Sequence, residues 1–362
     1  EQSLGLFDLS SAANTDFPTN NVEPSSTVSA LARLGYSYAG KYLVTASFRA
    51  DANSRFGDNN KWGYFPSLGL GWVASKEKFI KDLNIVDLLK VRASYGVTGN
   101  SQIPNFQSLA RLQTQRYIFG DNLFVGQVPG SVANPDLKWE TTEQFNFGID
   151  LGILNDRVSI TADAYYKKTT DLLLEVQLPL TSGFDTAIKN VGAISNKGLE
   201  LAITTINFDN DDFKWSSTLT WSTNRTEVLD LGEREEMFFS RVFNFSFRDE
   251  IMLRVGEQVG TFVGYIEDEI INSDNEVANS PTNNLLENVP GQVKFRDVNG
   301  DGVIDSNDRV VIGNSQPDFI GGFNNEFTYK NFDLSFFLRW SVGNDVINAN
   351  TLFLDRVGNG SW

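Results

Sequence analysis

The sequence predicts an all-β chain: a transmembrane antiparallel β-barrel, of which about ten strands are present, with long extracellular loops and short periplasmic turns. Three observations predict it. Apolar and polar residues alternate with period two over segments of roughly nine to eleven residues, the length a tilted strand needs to cross a bilayer. No apolar run approaches the roughly 18 to 20 residues of a membrane-spanning helix, so any crossing of a membrane falls to strands. The connections between the segments alternate between short and long, which is the layout of an outer-membrane barrel.

The strands are expected near residues 31–38, 42–50, 65–73, 88–97, 142–152, 157–167, 197–207, 213–223, 319–329 and 332–342. In the second, Tyr42, Val44, Ala46 and Phe48 oppose Thr45, Ser47 and Arg49. In the third, Leu68, Leu70 and Trp72 oppose Ser67, Gly69 and Gly71. Phe145, Phe147, Ile149 and Leu151 alternate with Gln144, Asn146, Gly148 and Asp150, and after Leu154-Asn155-Asp156-Arg157 the pattern resumes with Val158, Ile160, Ala162 and Ala164. Leu199, Leu201 and Ile203, then Trp215, Leu219 and Trp221, then Phe332 through Trp340 repeat it. Alternation predicts that Phe147, Ile149, Leu201, Leu219, Phe336 and Leu338 face lipid, and that Asn146, Asp163, Thr218, Asp333 and Arg339 face the lumen.

Alternation alone also suits a soluble β-sandwich. Connection lengths decide between them. The short connections include residues 39–41, 153–156 and 330–331, and the long ones run from 98 to 141 and from 224 to 318. The turn from Ala74 to Asp87 is long for a periplasmic one. Aromatic residues gather at strand ends, Tyr36, Tyr38 and Tyr42 at one turn and Tyr329 and Phe332 at another, as in an interfacial girdle. The segment from Met237 to Glu250 has no clear place in this scheme.

Composition bounds the chemistry. Among 362 residues there are 28 Phe and 30 Gly against 2 Met, a mix that suits strands and tight turns better than a helical core. There is no cysteine and no histidine, which excludes disulfides, thiolate metal sites and histidine-based catalysis within this chain. A formal net charge of -16 opposes binding to nucleic acid. No P-loop, dinucleotide-binding glycine pattern or nucleophile elbow occurs, and the sequence reads as no enzyme. The acidic groups Glu233, Glu235, Glu236 and Glu267, Asp268, Glu269 read as solvated loop charge, because neighbours on a strand point to opposite faces. The N-terminus shows no signal peptide. The final residues Gly360-Ser361-Trp362 fall inside an outer loop, where a barrel cannot close, so the chain is expected to be a piece of a longer protein.

The sharpest motif runs from Asp297 to Asp308, DVNGDGVIDSND, with calcium-loop spacing. Asp297, Asn299, Asp301, Asp305 and Asp308 supply side-chain oxygens, Val303 a backbone carbonyl, and Gly302 stands at the sixth place, where such a loop turns sharply. Asp308 departs from the glutamate of an EF-hand, and Val310, Val311 and Ile312 read as extended, so flanking helices are not expected. The alternative is a metal-free Asp/Asn/Gly turn.

Longer stretches resemble a known family. YSYAGKYLVTASFRADANSRFGDNNKWGYFPSLGLGWVASKEKF from Tyr36 and LKVRASYGVTGN from Leu89 are similar to the barrel of SusC/RagA-type TonB-dependent transporters of Bacteroidota. So are NPDLKWETTEQFNFGIDLGILNDRVSITADAYYKKTTDLLL from Asn134, NVGAISNKGLELAI from Asn190, and the run from Asp297 to Asn348. The resemblance, to the C-terminal barrel portion, implies about 22 strands in the whole barrel. It also implies a plug and a TonB-engaging segment with no counterpart here, a SusD-like lipoprotein lid, and import of oligosaccharide or peptide ligands. The leading expectation is therefore TonB-dependent nutrient import across the bacterial outer membrane with a SusD-like partner. The alternatives are a SusC-like barrel serving as a structural subunit of a larger outer-membrane assembly, and a secreted calcium-binding, carbohydrate-binding β-sandwich.

Overall fold

A computed structural model describes residues 24–120, 122–239 and 250–348. Ten strands form one sheet in which each pairs antiparallel with its neighbour in this order. They are β1 (Thr27–Tyr38), β2 (Tyr42–Asn53), β3 (Trp62–Val73), β4 (Val86–Asn100), β5 (Glu140–Ile153), β6 (Val158–Thr170), β7 (Ala193–Asp209), β8 (Phe213–Asp230), β9 (Phe319–Tyr329) and β10 (Phe332–Val342). These are the ten strands expected from alternation, in order. Several run longer on the side of the long loops: β4 reaches Asn100, and β8 continues to Asp230.

Register shows why the alternation exists. One row crosses the whole sheet through paired residues Tyr38, Tyr42, Trp72, Val91, Ile149, Ala162, Leu201, Trp221, Gly321 and Trp340. The row on the opposite face reads Leu43, Gly71, Arg92, Gly148, Asp163, Glu200 and Ser222. Charge is costly toward hydrocarbon, so the first face is the lipid face and the second the lumen wall. Phe147, Ile149, Leu201, Leu219, Phe336 and Leu338 share the lipid face, and Asn146, Asp163, Thr218, Asp333 and Arg339 share the other.

Near the short turns the lipid face carries stacked aromatic rings. Phe208 lies 6.0 Å from Trp215, Trp215 5.5 Å from Phe327, and Phe327 6.1 Å from Phe336. Beneath them the face is interrupted: Asn325 Oδ1 accepts from Trp215 Nε1–H at 3.0 Å and from the Ser217 hydroxyl at 2.7 Å. A β-bulge between Ile206 and Phe208 brings Asn207 to Ser217 at 2.7 Å. Amphipathic rings at this depth place their apolar faces toward lipid and their polar atoms inward.

The long connections, expected as outer loops, carry secondary structure of their own. Between β4 and β5 a hairpin pairs Leu112–Phe119 with Asn122–Pro129. Between β8 and β9 a four-stranded sheet joins Glu236–Phe239, Ile251–Arg254, Thr261–Gly264 and Val310–Asn314. Strands of four or five residues are too short to show a period, and Thr261 pairs with Asn314 far along the chain, so a local pattern cannot reveal them. The loops also bury small cores. Phe56, Phe65, Ile103, Leu137 and Trp139 form one, and Val228, Leu231 and Met237 another. At the first, Gly57 approaches Pro135 so closely that a Cβ would lie 1.7 Å from its carbonyl oxygen.

Candidate functional site

Two surfaces are built for contact with something other than lipid. The first is the lumen wall. Arg92 on β4 donates to both carboxylate oxygens of Asp150 on β5, at 2.9 and 3.0 Å, and to Asp163 on β6 at 3.0 Å. Thr161 adds a bond to Asp150 at 3.4 Å. Next to this cluster a cavity of about 360 Å³ is lined by Asp163, Glu200, Thr220, Ser222, Phe337 and Arg339. Two oxygens of this wall, Oδ1 of Asn146 and Oδ1 of Asp163, are buried and accept no hydrogen bond among the described residues. Sequence reading named Asp163 and Arg339 for the lumen and passed over Arg92. Its signal is an arginine in mid-strand, paired with Gly71 and Gly148, the two positions that leave room for its length.

The second surface lies among the outer loops. A cleft of about 660 Å³ opens between the segment at Ile103, the hairpin formed by Leu173–Gln177 and Thr186–Asn190, and residues 234–238. Its walls combine the apolar Leu174, Ile188 and Met237 with Gln177, Arg234 and Glu236. A wall mixing apolar surface with convergent hydrogen-bonding groups is the usual make-up of a ligand cleft. No single strand shows it, because the three segments meet only in the fold.

The calcium-type loop lies in the long connection after β8. Asp297 accepts from the N–H of Gly300 at 2.6 Å and of Gly302 at 2.8 Å. Asn299 accepts from the N–H of Asp301, Asp301 from that of Val303, and Asp305 from that of Asn307. Asp308, fully buried, accepts from Val298 at 2.8 Å and from Asp305 at 2.9 Å. Burial pushes its carboxyl up; backbone N–H bonds from Asp305, Val298 and Asn299 outweigh that and hold it below the usual carboxylate range. Gly300 and Gly302 take positive φ, as the sharp turn requires. Val303 and Ile304 pair in parallel with Thr282 and Asn283, which ties the loop to its neighbour. The donor atoms are all hard oxygens and suit calcium by type. Among the described residues no three acidic side chains are gathered closely enough to hold a metal, each being turned to a loop amide.

The ten-stranded sheet, its two-faced register and its outer loops can be compared with known proteins. The family model described as TonB dependent receptor-like, beta-barrel, matches residues 3–293. The chain belongs to that family. It is 37% identical to TonB-dependent receptor P3 of Formosa agariphila over 347 residues, 96% of this chain and 35% of that one. It is 33% identical to the TonB-dependent receptor SusC of Bacteroides thetaiotaomicron over 330 residues, 88% of this chain and 31% of the relative. Among solved structures, the RagAB peptide transporter aligns with a TM-score of 0.71 at 27% identity, covering 88% of this chain and 33% of its own. The chain is thus part of a SusC/RagA-type TonB-dependent receptor barrel of the outer membrane, spanning about a third of the length of its curated relatives.

Proposed function

We propose that this chain forms part of the barrel wall of an importer that moves oligosaccharides or peptides across the outer membrane. In this reading it works with a SusD-like surface lipoprotein and draws energy through TonB, engaged by a segment outside this chain. The process is binding and gated passage, with no covalent step. The observation that carries the reading is the outer-loop cleft, whose apolar walls and amide, carboxylate and guanidinium groups suit a ligand with both polar and nonpolar faces. The relatives lend support: one is SusC, and another is the RagAB peptide transporter. The lumen wall, with its charged cluster and two buried oxygens that accept no hydrogen bond among the described residues, offers polar contacts along the path.

Isolation of the full-length protein from outer membranes, followed by mass spectrometry of co-purifying chains and small molecules, tests this. The expected result is one SusD-like lipoprotein together with oligosaccharide or peptide. Recovery in a stable assembly with secretion or barrel-assembly proteins, and without bound ligand, would favour the structural role instead.

We also propose calcium as a structural ion of the loop, held by Asp297, Asn299, Asp301, Asp305, Asp308 and the Val303 carbonyl. The spacing, the oxygen donors and the positive-φ glycines support it, and the ion would neutralise carboxylates crowded into one turn. Calcium titration of the full-length protein, followed by hydrogen exchange over residues 297–309, tests it: slower exchange there with calcium is expected, and no change contradicts it.

A further inference from the structure

We propose that the periplasmic turn between β3 and β4 is a binding site for anionic phospholipid headgroups of the inner leaflet. The nutrient-import reading does not call for such a site, and the family match does not explain it. The other short turns of the sheet run two to four residues, whereas this one runs from Ala74 to Ile85 and coils into a helical turn at Lys78–Lys81. Its length adds apolar side chains with nothing to cover them. Phe79 is 62% exposed, Leu83 55% and Ile85 61%. The turn carries Lys76, Lys78 and Lys81 against Glu77 and Asp82, a slight positive excess in a chain whose net charge is -16.

The ion pairs divide the lysines into two classes. Lys41 donates to Glu77 at 2.8 Å, and Tyr42 O–H donates to the other oxygen of the same carboxylate at 2.8 Å. Lys76 donates to the Gly40 carbonyl at 2.9 Å. These bonds fasten the turn to the end of β2, where Tyr38 and Tyr42 stack at 6.5 Å on the lipid face. Lys78 and Lys81 are left exposed, and neither makes an ion pair among the described residues, although Asp82 is adjacent. Two uncommitted ammonium groups, three apart on a helical turn, therefore flank exposed Phe79 and continue the lipid-facing girdle. Cations over apolar anchors at a membrane surface select anionic lipid, each lysine being worth about 1 kcal/mol near such a surface. Charge complementarity and continuity with the lipid face make the occupant phosphatidylglycerol or a like phosphodiester lipid.

Full-length protein in vesicles of phosphatidylcholine, with and without phosphatidylglycerol, provides the test. A nitroxide attached at Phe79→Cys should be reached by oxygen in preference to an aqueous nickel reagent, and phosphatidylglycerol should deepen it. In native mass spectrometry, Lys78→Gln with Lys81→Gln should lower the preference for phosphatidylglycerol over phosphatidylcholine by roughly 10- to 30-fold. Free access of nickel to the label in both vesicles, or an unchanged lipid preference in the double variant, overturns the proposal. The label leaves both lysines in place, so it decides the matter even where the double variant fails to assemble. Because lid and ligand recovery are read separately, failure here leaves the import reading untouched.

Discussion

Arg92 and Asp163 meet at 3.0 Å although a whole strand lies between them. Arg92 is on β4 and Asp163 on β6, and the guanidinium passes over β5 at Gly148, which pairs with both residues. A Cβ at Gly148 would lie 2.3 Å from Asp163 Oδ1 and 2.7 Å from Arg92 Nη2. The glycine thus makes the bridge possible, and the bridge ties three strands of the lumen wall together. Gly148→Ala should destabilise the barrel by about 1 to 3 kcal/mol, the cost of leaving half-buried charges poorly paired. Gly35→Ala, where nothing lies within 4 Å of the added carbon, should stay within about 0.5 kcal/mol. Urea unfolding in vesicles separates the two, and equal midpoints would contradict this role for Gly148.

Glu77, in the turn that leads into β4, gives a pH dependence. The hydrogen bond from Lys41, then that from Tyr42, holds its carboxyl below the usual carboxylate range. A depressed folded pKa contributes stability above the ordinary carboxylate pKa and loses it as pH falls through the folded value. Hydrogen exchange at residues 39–42 and 74–82 should therefore quicken only in acid, below the ordinary carboxylate range. Glu77→Gln should show the faster exchange already at neutral pH. A variant with wild-type exchange across the whole range would contradict the assignment.

Asp308 closes the calcium-type loop on itself by holding the N–H groups of Val298 and Asp305, and it does so with no solvent contact. Asp308→Ala leaves two loop amides without their acceptor, a local cost of about 1 to 3 kcal/mol. The expected effect is faster exchange over residues 297–309, with the unfolding midpoint of the barrel unchanged, since the strands' own ladders do not use this residue. A shifted barrel midpoint would show that the loop and the sheet are coupled.

Most of the sheet was legible because its two faces meet different solvents, and a period of two over ten residues records that directly. The row from Tyr38 to Trp340 is the physical form of the pattern. Three things were not legible. The interruption of the lipid face at Ser217 and Asn325 is hidden because their partners, Trp215 and Asn207, come together only through pairing and a bulge. The hairpin at 112–129 does carry a local signal, apolar residues on both sides of Gly120-Asp121, but it is short against the length of the connection that holds it. The outer-loop cleft could not be read at all, because Ile103, Ile188 and Met237 converge from segments far apart in sequence.

The two faces of this sheet meet lipid and lumen. Nitroxide labels at Leu219, Phe336 and Leu338, and at Thr218, Asp333 and Arg339, placed one at a time in the full-length protein in a lipid bilayer, test it most directly. The first three should be reached by oxygen and shielded from an aqueous nickel reagent, and the second three should show the reverse. Aqueous access at Leu219 and Phe336 equal to that at Thr218 and Arg339 would contradict it.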